Sequence, residues 1–448
     1  MLGRSGRADE TWPAFRGGGD GHSRDKNLPL TWKPRGRSAE SWSIRLPGYG
    51  QSSPVIWKDK VFVTSVSGPS KEHLHVLAVN FDDGAILWQR DFSATQRIED
   101  RDSVSRGAPT PVVDAKRVYA VFESGDIVAL THQGELAWER SFVRDYGELQ
   151  GPHGYASSPL LAGDLLIVQV SHSGPSYILA VDAETGENHW KVDHPQQTGW
   201  SSPVLSRTEH QQCVIVSTAG SVRALDLRTG DELWWTGHVT GNSTASPVVA
   251  GDLVIIGVGF NRGSEAGSRP GDERRRVAPG VDEDSATNLP DEAKKQAAPR
   301  GSLAIRLGGR GDISDSHIVW QVPQVTVGYA SPVVVNDCAY FINRVGAVQC
   351  VDVHTGAVHW QHRLPGQSWA SPVANDGHVV FFTKDGTVMT LKAGRDVVEI
   401  GESTISTTDI VYGVAAANGS WVIRTGRGLL RISGQDAKDQ SPKAGSAP

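Results

Sequence analysis

One short phrase recurs along this chain and constrains its fold more than any other feature. The phrase is a small polar residue, then proline, then β-branched residues or leucine. Its seven copies begin at Ser53, Thr110, Ser158, Ser202, Ser246, Ser331 and Ser371. Because proline has no backbone N–H, it is tolerated at the first residue of a strand. Each copy therefore predicts the start of a repeating β unit.

A second phrase ends each unit with tryptophan. Its clearest copies contain Asp-x-x-Thr-Gly followed by three residues and Trp. The Asp-x-x-Thr-Gly part predicts a polar turn whose glycine takes positive φ. A flat indole on the last strand can fill the wedge between neighbouring sheets. We therefore expect a blade-docking role for Trp42, Trp88, Trp138, Trp190, Trp234, Trp320 and Trp360.

Counting the units gives the architecture. Four-stranded units of about 40–45 residues are typical of β-propeller blades, and the sequence predicts an all-β, eight-bladed propeller of four-stranded antiparallel blades. Trp42 precedes every opening phrase, whereas the last unit, residues 414–432, lacks a fourth strand. We therefore expect an N-terminal strand over residues 41–46 to complete the last blade, because closure removes exposed sheet edges.

The predicted organisation is a single propeller over residues 38–433. An extension over residues 1–37 precedes it, and a polar tail over residues 434–448, expected to be disordered, follows it. Trp234 and Trp320 are about twice as far apart as the other unit ends. The excess is residues 261–300, which are rich in charge, proline and glycine. This composition predicts a disordered insertion in the fifth blade.

Composition excludes several classes of function. The chain carries 44 basic and 50 acidic side chains, a net charge of −6, which argues against a general nucleic-acid binder. No stretch approaches the roughly 20 apolar residues of a transmembrane helix. The first residues are basic but lack the apolar core of a secretory signal. Cys213, Cys338 and Cys350 have no metal-binding spacing and are expected to be buried apolar residues.

The repeated Asp-x-x-Thr-Gly-x-x-x-Trp phrase resembles the tryptophan-docking motif of the pyrroloquinoline-quinone (PQQ) repeat family. The opening residues Trp12-Pro-Ala-Phe-Arg-Gly17 also look like the start of many bacterial secreted propellers of this type. Two kinds of protein share this scaffold: quinoprotein dehydrogenases, and non-enzymatic scaffolds such as the propeller lipoprotein of the outer-membrane β-barrel assembly machinery. The resemblance implies a periplasmic or other extracytoplasmic location. The given start, which has no export signal, is also compatible with the cytoplasm.

The resemblance to quinoprotein dehydrogenases implies adjacent cysteines beneath the cofactor and Glu, Asn and Asp ligands for calcium. This chain has no adjacent cysteines, and Asp145 and Glu148 are among the few carboxylates expected near the channel. Calcium needs several converging oxygen ligands. We therefore expect no catalytic residue, no metal and no cofactor. PQQ with calcium, in a divergent quinoprotein oxidoreductase, is the alternative.

Aromatic residues precede most of the opening phrases. Because the first strand of a blade lines the channel, we expect them to ring one channel mouth. The predicted ring contains Tyr49, Tyr155, Trp200, Tyr329, Trp369 and Tyr412, with Arg106 and Asn242 at analogous places and His153 beside Tyr155. Such a ring could stack a planar ligand, a sugar or a peptide side chain, or it could only cap the central packing.

Taken together, these features predict a monomeric, non-catalytic scaffold in the cell envelope. We expect its partner to be a protein, with a small planar ligand or sugar as the other possibility, and we expect neither nucleic-acid binding nor a transmembrane segment.

Overall fold

The chain forms eight small, mainly antiparallel sheets arranged as blades around a channel, which confirms the predicted eight-bladed all-β propeller. The computed structural model describes residues 10–33, 40–101, 104–151, 153–196, 198–207, 211–239, 244–259, 301–407 and 409–434. The predicted insertion over residues 261–300 lies outside the described residues. No helix within these ranges is long and apolar enough to cross a membrane.

The strands follow the chain from blade one to blade eight. Three short N-terminal strands come first: β1 (Thr11–Trp12), β2 (His22–Ser23) and β3 (Trp42–Arg45). Blade one contains β4 (Val55–Trp57), β5 (Lys60–Ser67), β6 (His73–Asn80) and β7 (Ile86–Ser93). Blade two contains β8 (Val112–Val113), β9 (Arg117–Val121), β10 (Asp126–Thr131) and β11 (Leu136–Ser141), followed by the short helix α1 (Phe142–Tyr146). Blade three contains β12 (Leu160–Ala162), β13 (Leu165–Val170), β14 (Ser176–Asp182) and β15 (Asn188–His194). Blade four contains β16 (Val204–Arg207), β17 (Gln212–Thr218), β18 (Gly220–Asp226) and β19 (Glu232–Val239).

The second half of the ring is built in the same way. Blade five contains β20 (Val248–Ala250), β21 (Leu253–Ile256), β22 (Ser302–Arg306) and β24 (Ile318–Val322), with β23 (Gly311–Asp312) between the last two. Blade six contains β25 (Val333–Val335), β26 (Cys338–Ile342), β27 (Ala347–Asp352) and β28 (Val358–Arg363). Blade seven contains β29 (Val373–Asn375), β30 (His378–Phe382), β31 (Thr387–Lys392) and β32 (Glu399–Thr404). Blade eight contains β33 (Val411–Ala417), β34 (Ser420–Thr425) and β35 (Gly428–Ser433).

The N-terminal strand β3 closes the ring, as predicted. It pairs antiparallel with β35, with Ile44 opposite Leu429, and becomes the fourth strand of blade eight. The indole of Trp42 then docks on blade one, where its Nε1–H donates to the carbonyl of Phe81 at 2.9 Å. Sheet pairing and side-chain docking therefore both join the beginning of the propeller to its end.

The predicted blade-docking tryptophans act at most of the other joints. Their indole Nε1–H groups donate to a backbone carbonyl of the following blade: Trp88 to His132, Trp138 to Ala183, Trp190 to Leu227, Trp320 to Val353 and Trp360 to Gly394. A turn glycine leaves room for the indole at four of these five joints, those of Trp88, Trp138, Trp190 and Trp320. A Cβ on Gly186, whose φ is +76°, would lie 2.8 Å from the Trp138 ring.

Blade four has a fifth strand on its outer side. Its outer strand β19 pairs in parallel with β23, which places Gly311 beside Trp234. Trp234 is 2% exposed. The joint is therefore covered by β23, a strand from the blade-five part of the chain that pairs with blade four.

The small polar residues of the opening phrases link neighbouring blades around the channel. Six of the seven side-chain oxygens accept a hydrogen bond from the N–H of the equivalent residue one blade earlier, at distances of 2.8–3.0 Å. The bonds run from Ser53 to Thr110, Ser158, Ser202, Ser246, Ser331 and Ser371 in turn. Gly413 holds this position in blade eight, where a Cβ would lie 2.2 Å from Ser53 Oγ.

Residues 10–33, called here the N-terminal segment, close one end of the channel. Strand β1 pairs with the inner strand β4 of blade one, and β2 pairs with the inner strand β29 of blade seven. Between them the buried Arg16 donates to the carbonyls of Pro332 at 2.5 Å and Asp20 at 3.2 Å. Burial lowers the pKa of Arg16 to about 10.

Candidate binding site at the channel mouth

A cavity of about 440 Å³ lies at the channel mouth opposite the N-terminal segment. In seven blades it is lined by the residue two positions before the opening Ser or Thr. Side chains alternate along an extended chain, so this spacing directs the same position of each blade toward the channel. These lining residues are Gln51, Ala108, Ala156, Trp200, Thr244, Tyr329 and Trp369.

The floor of the cavity comes from the N-terminal segment. Phe15 lines this cavity and also a second cavity at the other end of the channel. It lies in a tight turn in which Gly17 N–H donates to the Ala14 carbonyl at 2.9 Å. The turn packs on Trp12, because a Cβ on Gly17 would lie 3.0 Å from that indole. The mouth cavity therefore has an aromatic floor.

Aromatic rings form a continuous arc along one side of the mouth. Tyr329 and Trp369 stack with ring centroids 3.9 Å apart and planes inclined by 6°. Tyr412 packs edge-on against Trp369 at 5.6 Å and against Tyr49 at 6.0 Å. Such contacts stabilise aromatic pairs beyond simple burial, so the arc is held in place before any ligand arrives.

Trp200 and His153 form the other side of the mouth. Their rings meet edge-on with centroids 5.7 Å apart. The Trp200 Nε1–H donates to the carbonyl of Gly154 at 2.9 Å, which fixes the indole plane. An apolar indole surface therefore faces the aromatic arc across the cavity.

Guanidinium groups pack on the aromatic arc. Arg344 Cζ lies 4.9 Å from the centroid of Tyr329, and Arg106 Cζ lies 5.0 Å from that of Tyr49. Arg106 also pairs with Asp100 at 2.5 Å. The described lining of the cavity includes no aspartate or glutamate. The mouth therefore combines aromatic surfaces with hydrogen-bond donors and positive charge.

The hydroxyl groups of Tyr49 and Tyr412 are hydrogen-bonded at the rim, with their oxygens 2.9 Å apart. The Tyr49 hydroxyl donates to Asp409 at 3.3 Å, so it accepts from the Tyr412 hydroxyl. Burial, together with these two neighbours, raises the pKa of Tyr49 above its usual range. Tyr49 is therefore a neutral phenol at physiological pH.

A buried ion pair supports one wall of the mouth. Lys71 Nζ lies 3.8 Å from Glu123 and donates to the Ser105 carbonyl at 2.5 Å. Glu123 in turn accepts from the Gly107 N–H at 2.8 Å. Burial lowers the pKa of Lys71 and raises that of Glu123. Together these two side chains hold the loop that carries Ser105 and Arg106.

Of the predicted ring residues, the structure brings together His153, Trp200, Tyr329, Trp369 and Tyr412 as lining of the cavity. Tyr49 and Arg106 join them at the rim.

Tyr155 lies elsewhere. It is 5% exposed and packs against Phe142 in the core, because it stands three residues before Ser158 and its side chain points away from the channel. The structure puts Ala156 in the cavity instead. Asn242 lies outside the described residues.

Sequence reasoning missed Gln51, Ala108, Ala156 and Thr244, since it sought aromatic residues near each phrase instead of one fixed spacing. The spacing of two residues before the opening Ser or Thr could have identified all four. It also missed Phe15, whose approach to the mouth depends on long-range packing.

The residues at the mouth do not fit PQQ with calcium. Among the described residues there is no group of three or more His, Cys, Asp or Glu side chains that could hold a metal ion. Tyr329 and Trp369 stack directly on each other, so the space between these two rings does not admit a planar group.

Comparison with known proteins gives a family. A family model described as outer membrane protein assembly factor BamB matches residues 37–174, 147–272 and 312–397. BamB of Shewanella oneidensis is 24% identical over 48% of this chain and 50% of its own length. BamB of Moranella endobia is 22% identical over 75% of this chain and 74% of its own. The chain thus spans only about half of the Shewanella relative.

Solved structures share the fold. BamB from Moraxella catarrhalis has a TM-score of 0.57 at 15% identity, over 88% of this chain and 97% of its own. Quinohemoprotein alcohol dehydrogenase from Comamonas testosteroni has a TM-score of 0.58 at 13% identity, over 95% and 80%. At these identities the likeness concerns the fold alone. The family model, in contrast, matches more than half of the chain, and the protein therefore belongs to the BamB-like family of PQQ-repeat propellers.

Proposed function

We propose that this protein is a non-catalytic scaffold that binds a protein partner in outer-membrane protein assembly, and that the channel mouth is its binding site. The observation that carries the proposal is the preformed aromatic arc of Tyr329, Trp369 and Tyr412 beside an open cavity. The relatives named above, which are called assembly factors, supply the biological context.

The chemistry of the mouth suits a side chain or loop of a partner. Aromatic residues and arginine dominate the binding energy of protein interfaces, and here Arg344 packs on Tyr329 beside the cavity. The volume of about 440 Å³ is that of an ordinary ligand pocket. Because Phe15 forms the floor, an occupant enters and leaves by the same opening. The site is therefore suited to binding a side chain or loop of the partner. We propose that the protein acts outside the cytoplasm.

The test is the double variant Trp200→Ala/Trp369→Ala, which removes an indole from each side of the mouth. Trp235→Ala is the matched control, because Trp235 is a partly exposed indole on the outer strand of blade four that packs against Arg223. Outer-membrane assembly components are first copurified with the wild-type protein. The affinity of each purified variant for these components is then measured. We expect at least about a tenfold loss for the double variant, which corresponds to about 1.4 kcal/mol, and none for the control.

Unchanged partner affinity in a double variant that melts like the wild type would contradict the mouth as the site. Titration with PQQ and calcium, followed by a dye-linked alcohol or sugar oxidation assay, addresses the alternative. Calcium-dependent turnover in that assay would contradict a non-catalytic scaffold.

A further inference from the structure

The second residue after the proline of each opening phrase is apolar and lies on the innermost strand of its blade. In four blades the N-terminal segment contacts this strand and the residue is buried: Ile56 at 0%, Val113 at 2%, Val334 at 8% and Ala374 at 1% exposed. In blades three, four and five the equivalent residues are only partly buried, and they are Leu161, Leu205 and Val249. One repeated position is therefore covered in some blades and open in three consecutive ones.

The N-terminal segment covers these inner strands with its backbone. The Pro13 carbonyl accepts from Val113 N–H at 2.8 Å, and the Gly21 carbonyl accepts from Ala374 N–H at 2.9 Å. Strand β1 lies antiparallel to β4, and β2 lies parallel to β29. An extended chain thus pairs with the inner edges of the propeller and shields their apolar side chains at the same time.

The inner strands β12, β16 and β20 have no such neighbour. Each is the edge of its own sheet in the part of the chain that the structure describes. A second cavity, of about 310 Å³, lies between them and the turn formed by residues 15–20. Leu161, Leu205 and Val249 line it. Its walls therefore alternate unpaired backbone edges with apolar side chains.

We infer that this second cavity binds an extended apolar peptide segment of a partner protein, which pairs with a free inner edge among β12, β16 and β20 as β1 pairs with β4 and β2 pairs with β29. The cavity continues the interface that this segment makes with its neighbouring blades. A free sheet edge is satisfied by main-chain hydrogen bonds, while alternate side chains fill apolar pockets. The inference rests on the proposed function only in requiring a protein partner.

The two sites are separate. Phe15 lies between them and lines both cavities, so the second cavity is reached from the face opposite the mouth. A variant of the mouth and a variant of the second cavity therefore test different statements.

The probe is the peptide Thr-Val-Thr-Val-Thr-Val-amide with fluorescein attached to its N-terminal amine, and the same labelled peptide N-methylated at its valines is its control. Binding to the full chain is followed by fluorescence anisotropy. Leu161→Asn/Leu205→Asn changes the apolar wall, and Leu87→Asn is the matched control because Leu87 is 45% exposed on the outer strand of blade one. Thermal melting of each variant checks that it is folded, and the milder Leu205→Ala replaces any variant that is not.

We expect the wild-type protein and L87N to bind the peptide alike. We expect the wall variant and the N-methylated peptide each to weaken binding at least about tenfold. No binding up to about 1 mM peptide, which corresponds to about −4 kcal/mol, would overturn the inference. Binding that ignores N-methylation would also overturn it, because the contact would then not be main-chain pairing.

Sedimentation tests a different occupant. A wild-type dimer that the wall variant dissociates would assign the cavity to a second copy of the chain and overturn the inference. The Trp200→Ala/Trp369→Ala variant should bind the peptide normally. If this variant loses its partner while the wild-type protein ignores the peptide, then the proposed function stands and this inference fails.

Discussion

At the scale of single residues, the buried Lys71–Glu123 ion pair supports the wall of the mouth that carries Arg106. Both side chains are almost fully buried, at 3% and 2% exposed. Removal of one partner of a buried ion pair is strongly destabilising, because it leaves an uncompensated buried charge. Glu123 is also near Asp100, whose negative charge raises its pKa further. The wall that carries Arg106 therefore depends on Lys71.

Lys71→Met should destabilise the protein by about 3 kcal/mol at pH 7. Burial already raises the pKa of Glu123, and loss of Lys71 raises it more. A raised carboxyl pKa means that the fold favours the protonated form, so stability is lost as pH rises from about 4.3 through the pKa of the folded state. Denaturant unfolding across this range measures the effect.

The double variant Lys71→Met/Glu123→Gln is the control. It removes the buried carboxylate, so its free energy of unfolding should no longer fall over the same pH range. A single variant whose stability does not change with pH would show that Glu123 is solvated or otherwise paired.

At the scale of elements, the opening strands are joined by hydroxyl groups as well as by packing. Each bond satisfies a buried N–H that faces the next blade. Loss of the acceptor leaves that N–H without a partner, which costs about 1–3 kcal/mol. The recurrence of Ser and Thr before proline thus has a structural reason that the repeat alone did not reveal.

Ser202→Ala should lower the free energy of unfolding by about 1–2 kcal/mol, because the Ser158 N–H loses its acceptor. Ser202→Thr is the matched control, since Thr110 already serves this function in blade two. Urea unfolding of the three proteins measures the difference. Equal losses in the two variants would mean that side-chain packing, and not the hydrogen bond, decides the stability of the joint.

The sequence predicted the elements well where the information is local. Turns, docking tryptophans and opening prolines lie within a few residues of one another, so one unit could be recognised and then counted. Tyr155 and Ala156 mark the limit, because the direction of a side chain depends on a register of one residue. Phe15 and β23 could not be predicted, since the contacts that position them join distant parts of the chain.

At the scale of the whole molecule, the two ends of the propeller meet in blade eight. A chain that begins at Pro47 lacks both β3 and the N-terminal segment, whereas a chain that begins at Glu40 lacks only the segment. The first should melt about 3–5 °C below the second, because truncation of a buried tryptophan costs about 3–5 kcal/mol and 1 kcal/mol shifts the melting temperature of a chain of this length by about 1 °C. Calorimetry measures both, and equal melting temperatures would contradict closure by β3.

Six hydroxyl-to-amide bonds join blades one to seven, and Gly413 contributes none in blade eight. Blade eight also holds β3, where the propeller begins, and β35, where it ends. When a pulling force is applied to β3 and β35, blade eight therefore carries the force first, because it takes no part in this series of bonds. Opening under load, and the earliest exchange of amide hydrogens for deuterium, should begin at β3 and β35 while the other seven blades stay joined.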